Sequence, residues 1–283
     1  MGSVPIFIFA PIQAQGSAVT TRPATTARTL FVVSLPKYFD ACSLPRLLRS
    51  SVDRKLVPMC GRYILAQQAK AEKTFGVQRL RWNDLQSYNV APTREVPVIR
   101  KASPENGGER EGVMMRWGLV PPFLKGESPK FPTINARIET MEASPAFRNA
   151  WQFGQRCIVP AEGFYEWEMI PDAPRQPWFI GLANNEVMPF AGLWDRSKKA
   201  DGTVVESFTI VTLPANELMA RIHSEKRMPA ILRMEDVEAW LGGTPGQAKA
   251  ALVQFPGEQL RAYKVSARVN SPKNDDAQLM DAV

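Results

Sequence analysis

The sequence predicts an α+β protein, a single domain built on a curved mixed, barrel-like β core with a few flanking helices. Three observations lead there. From residue 59 onward, many short β-like runs follow one another at close spacing, each bounded by Pro, Gly or Asn. Helical patterns are few and short, so they flank a sheet and do not form a bundle. The hydrophobic share of 45% and charged share of 22% are those of an ordinary globular chain, and 283 residues suffice for one large domain. There is no run of eighteen or more apolar residues, so no membrane helix is expected.

Taken in order, Ala66–Phe75 carries a helical pattern. Val96–Arg100 and Val113–Val120 read as strands divided by the polar turn Ser103–Arg110, with Asn106-Gly107-Gly108 inside it. Cys157–Val159, Gly163–Glu168, Trp178–Leu182, Met188–Leu193 and Ser207–Leu213 are short strand-like runs. Asn216–Ile222 opens as a helix, and Met234–Leu241 reads as another with Glu235 and Asp236 in its first turn. Arg261–Val265 is a late strand. The folded domain is expected over residues 59–276, with 277–283 a loose tail.

Residues 1–58 have a different texture. They are rich in Ser, Thr, Ala and Arg, and Pro5, Pro11, Pro23, Pro36 and Pro45 interrupt them. They read as a disordered extension: upstream sequence from a mis-assigned start, a targeting segment, or a leader removed after synthesis. They hold seven basic and two acidic residues. Of the chain's 35 basic and 28 acidic residues this leaves 28 and 26, a net of +2 for the remainder against +7 overall. Any nucleic-acid contact in the domain must therefore come from placed arginines and not from bulk charge. Cys42, Cys60 and Cys157 lack metal or disulfide spacing, which fits a reducing compartment.

Met59-Cys60-Gly61-Arg62-Tyr63 looks like an amino terminus inside a longer reading frame. Removal of Met59 leaves Cys60 with a free amine and a free thiol on adjacent carbons. Their ordinary pKa values, about 8 and about 8.5, keep reactive fractions of both near pH 7. Such a pair traps an aldehyde: the amine forms an imine and the thiol closes a five-membered thiazolidine. An internal cysteine cannot do this, because its nitrogen is an amide.

Three other features could carry chemistry. His223 is the chain's one histidine and follows a helix in the basic loop Arg221–Pro229. Glu166 lies in Gly163-Phe164-Tyr165-Glu166-Trp167-Glu168, where an acid beside aromatics can shuttle protons. Asn135-Ala136-Arg137 reads as a turn with an exposed arginine. Each has an ordinary structural explanation: a satisfied core histidine, a solvated strand glutamate, a plain turn.

Together with Tyr88-Asn89-Val90-Ala91-Pro92-Thr93, Arg116-Trp117-Gly118-Leu119, Ile134–Thr140, Arg156-Cys157-Ile158-Val159-Pro160, Arg227-Met228-Pro229 and Val265-Ser266 with Val269-Asn270, these blocks resemble the SOS-response-associated peptidase family in collinear order from Met59 to about Asp276. Its members process abasic sites and crosslink themselves to DNA. The resemblance implies that Cys60 captures the abasic aldehyde, Asn135 orients the opened sugar, Glu166 moves protons and His223 serves as acid–base, with lyase and self-processing side activities. It implies DNA contacts from Arg62, Asn89, Pro92, Trp117, Arg137 and Arg227. The partner is single-stranded DNA or a single–double-strand junction containing an abasic site, bound by a monomer without cofactor, metal or membrane. In a bacterium this places the protein in the cytoplasm, associated with the nucleoid; nuclear and organellar sites stay open. A cysteine-dependent hydrolase using Cys60 and His223, and a non-catalytic binder of DNA structures, are the alternatives. Here Ser224-Glu225-Lys226 separates His223 from Arg227, a longer spacing than in familiar members.

Overall fold

Two long strands that change partners midway set the architecture. The computed structural model describes residues 61–103 and 108–283; the expected extension 1–58, Cys60 and the Asn106-Gly107 tip of the expected turn lie outside the described residues. In chain order the elements are β1 (Arg62–Leu65), α1 (Gln68–Phe75), β2 (Arg79–Arg81), β3 (Glu95–Lys101), β4 (Arg110–Trp117), β5 (Asn135–Arg137), α2 (Arg148–Gln152), β6 (Arg156–Glu168), β7 (Gln176–Leu182), β8 (Met188–Lys198), β9 (Val204–Pro214), α3 (Glu217–Ile222), β10 (Arg227–Pro229), α4 (Val237–Gly242), α5 (Pro245–Ala250) and β11 (Leu260–Lys264), with short 3-10 turns between several of them.

Strands β9, β4, β3, β6 and β8 pair in a ring. The β4–β9 pair is parallel and the other four are antiparallel, so the five close into a mixed barrel. Among the described residues the expected α+β barrel is present, with β1, β7 and β11 added beyond β6, β2 beside β4, and β5 and β10 beside β9. Both β6 and β9 run antiparallel to β8, so their carboxyl halves leave the ring at the same end. There β6 lies between β1 and β7, and β9 between β5 and β10.

The expected strands at Cys157–Val159 and Gly163–Glu168 are one continuous strand, β6. Pro160 removes a donor, but its carbonyl still accepts from Ala66 N at 3.2 Å, so the ladder survives the proline. At Gly163 an added Cβ would come within 2.6 Å of the Ile180 carbonyl oxygen, which is why β6 can cross β7 so closely there. Strand β4 stops at Trp117, three residues short of the expected end. Gly118 takes φ 106°, a conformation β-branched or bulky residues avoid, and turns the chain out of the sheet while its N–H meets Phe208 O at 2.8 Å.

The core is aromatic. Tyr63 packs edge-on to Trp117 at 5.3 Å and to Phe190 at 6.2 Å, and Trp117 stacks on Phe208. A second, smaller cluster joins Ile64, Tyr165, Phe179, Val265, Val269 and Leu279. That cluster corrects the loose-tail expectation for 277–283. Ala277–Met280 forms a 3-10 helix whose Leu279 is fully buried, and Val283 N bonds to Lys264 O at 3.1 Å. Leu279, with Met280 packed against the same cluster, anchors the tail beside β11.

Candidate active site

Where β6 and β9 emerge from the barrel, an acid and a base meet. Glu166 sits near the end of β6, 2% exposed, and its Oε2 lies 3.5 Å from His223 Nε2. His223 is placed by α3. Asn216 caps that helix, its Oδ1 accepting from Met219 N at 2.9 Å, and His223 N closes the last turn on Met219 O. The Nδ1 atom accepts from Glu225 N at 3.2 Å, so the ring proton belongs on Nε2, facing the carboxylate. Burial lowers the imidazole pKa; the Glu225 carboxylate pulls it up and Arg227 pushes it down, and the net is downward from 6.5. The ring is therefore mainly neutral at pH 7, with its Nε2 proton offered to Glu166 and its Nδ1 lone pair taken by the Glu225 N–H.

Asn135 is not in a turn. It opens β5, whose three residues pair in parallel with Ile210, Val211 and Thr212 of β9. Both polar atoms of its amide are buried and find no hydrogen-bond partner among the described residues. Such a group costs on the order of 1–3 kcal/mol to bury, so its persistence calls for an explanation, and a ligand that supplies an acceptor and a donor provides one. Two residues on, Arg137 shares its face, about 7 Å away along the strand. Its Nη2 meets Glu225 Oε2 at 3.0 Å, which ties β5 to the turn after His223.

The expected DNA contacts separate into two groups. Arg62 and Pro92 line a cleft of about 560 Å³ together with Gly61, Trp167, Pro174, Arg175 and Asn270. Arg137 is exposed. The other three are turned inward and are corrections to the sequence reading. Trp117 is fully buried, so no base can stack on it; its Nε1 donates to Ile134 O at 3.0 Å and thereby holds the strand that presents Asn135. Asn89 is also fully buried, and its Nδ2 donates to the carbonyls of Val269, Ser271 and Asn274, bracing the loop that carries Asn270. Arg227 is 8% exposed and is held by both oxygens of Glu139 and by Thr212 O at 2.9 Å. Its guanidinium is committed within the protein.

Trp167, Pro174 and Arg175 are cleft residues that the sequence reading did not single out. Trp167 donates through Nε1 to Asn270 Oδ1 at 2.7 Å and lies next in sequence to Glu166. Its signal was present: an aromatic at the frayed end of a strand, directly after a buried acid. Pro174 and Arg175 lie in the β6–β7 connection and carried no pattern. A larger cleft of about 720 Å³, lined by Leu182, Glu186, Met234, Phe255 and Glu258 among others, holds none of the expected residues and is set aside as the reaction site for that reason. Among the described residues no group of His, Cys, Asp and Glu side chains is arranged to hold a metal, and no helix is long and apolar enough to cross a membrane.

Residues 59–272 match the family described as SOS response associated peptidase (SRAP). Among characterised relatives, the abasic site processing protein YoaM of Bacillus subtilis is 38% identical over 199 residues, covering 69% of this chain and 85% of that protein. The abasic site processing protein HMCES of Gallus gallus is 33% identical over 218 residues, covering 67% of this chain and 64% of that one. A crystal structure from Bacteroides thetaiotaomicron superposes with a TM-score of 0.69 at 26% identity, over 80% of this chain and all of that one. One from Bordetella bronchiseptica gives 0.65 at 29%, over 73% of this chain and all of that one.

Proposed function

The chain belongs to the SOS response associated peptidase family, and from that premise we propose that it processes abasic sites in DNA, capturing them covalently through Cys60. The processing role is supported by the names of relatives that align along most of their own length. The covalent step is supported by one observation above others: a buried acid–base pair at the stretch of β6 that faces the start of β1, joined by a buried amide on β5 that lacks partners among the described residues. The antiparallel register that opposes Arg62 to Tyr165 carries Gly61 toward Glu166. The residue bonded to Gly61 is one Cα step, about 3.8 Å, further on.

The chemistry balances as follows. The abasic sugar opens when its C1 hydroxyl loses a proton and its ring oxygen gains one, giving the aldehyde. The amine of Cys60 adds to that carbon, the carbinolamine loses water, and an imine results. The thiol then adds across the C=N bond, its proton ending on nitrogen, and the thiazolidine closes with one water released overall. Glu166 takes the amine's surplus proton and relays protons to and from the sugar oxygens, with the Nε2–H of neutral His223 as its acid–base partner. The Asn135 amide accepts from the amine and donates to the sugar oxygen. Arg137 meets a phosphate, Arg62 lines the cleft with its guanidinium held by Val269 O at 2.8 Å, and Trp167 offers a base the flat face denied by Trp117. Single-stranded DNA is the proposed substrate, since its unstacked bases are free to meet Trp167.

The reaction requires an unblocked amine on Cys60, so residues ahead of it must be absent or removed. A chain expressed from Met59, incubated with a single-stranded oligonucleotide holding one abasic site, is expected to give a band that survives denaturation and disappears in Cys60→Ala. A full-yield band from Cys60→Ala overturns the proposal. Sequencing the amino terminus of product from the whole reading frame tests self-removal: a crosslinking product that still begins at Met1 or Gly2 contradicts the free-amine requirement.

A further inference from the structure

We propose that Glu225 occupies the phosphate position on Arg137 in the free protein, so that DNA must displace this carboxylate to engage the cleft. The inference rests on the reading of Arg137 as a phosphate contact and goes beyond it by naming the group that competes for the same guanidinium. Of the two arginines nearest His223 in the expected contact set, Arg227 is locked by Glu139 and Thr212. Arg137 is the one within reach of solvent. Its Nη2 is met by Glu225 Oε2 at 3.0 Å, with the two side chains 52% and 33% exposed.

A carboxylate and a phosphate present the same feature to a guanidinium, an anionic oxygen accepting a charge-assisted N–H bond. An exposed ion pair favours its closed form by only about 1.5–5-fold, so Glu225 holds Arg137 in place yet yields to DNA. The turn that carries Glu225 is built for such an exchange. Its backbone is fixed at both ends: Glu225 N donates to His223 Nδ1 at 3.2 Å, and Lys226 N donates to His223 O at 3.0 Å. Lys226 takes φ 52°, the left-handed conformation that lets three residues span the gap to Arg227. The carboxylate can therefore swing away by side-chain rotation while His223 keeps its N–H donor and its tautomer. Glu225 also lies close enough to the site to pull the His223 pKa upward, so it is a neighbour of the acid–base pair and not a remote surface charge.

The test is equilibrium binding of the full chain to an intact single-stranded oligonucleotide, which leaves Cys60 chemistry aside, over a range of salt. Glu225→Gln is expected to tighten binding about 2–5-fold. It is also expected to steepen the slope of log affinity against log salt by up to about 0.7, because the displaced carboxylate of the native chain takes up a cation that the glutamine does not. In an Arg137→Ala background the same change is expected to gain less than about 1.5-fold. A gain that persists undiminished in that background means simple repulsion between Glu225 and DNA, and overturns the proposal. So does weakened binding in Arg137→Ala with no gain in Glu225→Gln. Unchanged binding in Arg137→Ala removes Arg137 from the DNA surface and overturns the proposal too, while crosslinking to abasic DNA through Cys60 continues to stand or fall separately.

Discussion

Two buried polar clusters sit in this one barrel, and they are wired differently. On the wall made by β3, β4, β8 and β9, Arg100 donates to Glu111 at 2.7 Å and to Glu206 at 3.2 Å while lying 4.2 Å over the Trp194 ring. Arg196 adds two more bonds to Glu206. Burial alone would raise the Glu206 pKa, but the bonds from Arg196 and Arg100 outweigh it and the net is downward. At the barrel end, Glu166 and His223 meet at a long 3.5 Å and the Asn135 amide has no partner among the described residues. The first cluster has spent its hydrogen-bonding capacity on itself. In the second, the Asn135 amide stays open among the described residues, at a cost in stability, which suits the proposed capture of a sugar there.

The sharpest way to break this contrast is at Glu166. Glu166→Gln is expected to slow crosslinking about 10²–10⁴-fold while affinity for intact DNA and the melting temperature stay close to native. A variant that loses binding and stability together with rate would make Glu166 a structural residue. The mirror experiment is Arg100→Ala, which leaves the buried Glu111 only the long 3.8 Å contact to Arg81. A loss of about 3–5 kcal/mol is expected, a fall of roughly 6–20 °C in Tm for a domain of this size, with crosslinking rate per folded molecule unchanged.

Two asparagines sharpen it further. Asn89→Ala removes three donor bonds to the 269–274 loop and is expected to cost about 2–4 kcal/mol. Asn135→Ala removes none among the described residues and is expected to leave unfolding free energy within about 0.5 kcal/mol or to raise it, while slowing crosslinking at least about tenfold. Equal destabilisation of the two in denaturant titrations would end the distinction between filled and reserved polar groups.

The smallest effect is in pH. The folded pKa of His223 lies below its unfolded 6.5, so the unfolded chain binds the extra proton first. Stability from this group is present in full above about pH 6.5 and declines as pH falls from there through the lower folded value. Glu139, held low first by its bond from Arg227, acts in a separate window below pH 4.5. Between pH 5 and 7, melting curves of His223→Gln are expected to be flatter than native; parallel curves would mean that His223 is not buried neutral.

Much of the fold was legible because its signals are local. The cap at Asn216, the periodicity of β3 and the apolar runs of β7 to β9 depend on residues a few positions apart, and these elements stand where the sequence puts them. The short strands β1, β2, β5 and β10 were not legible, since three or four residues carry too little pattern and exist as strands only beside β6, β4 and β9. The site was legible as residue types in an ordered set of blocks, including the acid–base pair of Glu166 and His223. Which expected contacts could reach a ligand was not. The family resemblance makes Trp117 and Asn89 DNA contacts, yet one fills the barrel and the other braces a loop.

The sequence by itself determined the chemistry on offer: a cysteine after a methionine, one histidine, a glutamate in an aromatic strand, an asparagine two residues before an arginine. It also determined the class of fold, because strand and helix patterns repeat over two to four residues. Only the tertiary structure decided which of those groups face a cleft, which arginines are already occupied, and that the chain's last residues are pinned. Those outcomes turn on partners such as Asn89 and Asn274, 185 residues apart, or Arg62 and Val269, 207 apart. A local pattern states which face a side chain takes, but what covers that face comes from wherever the chain returns.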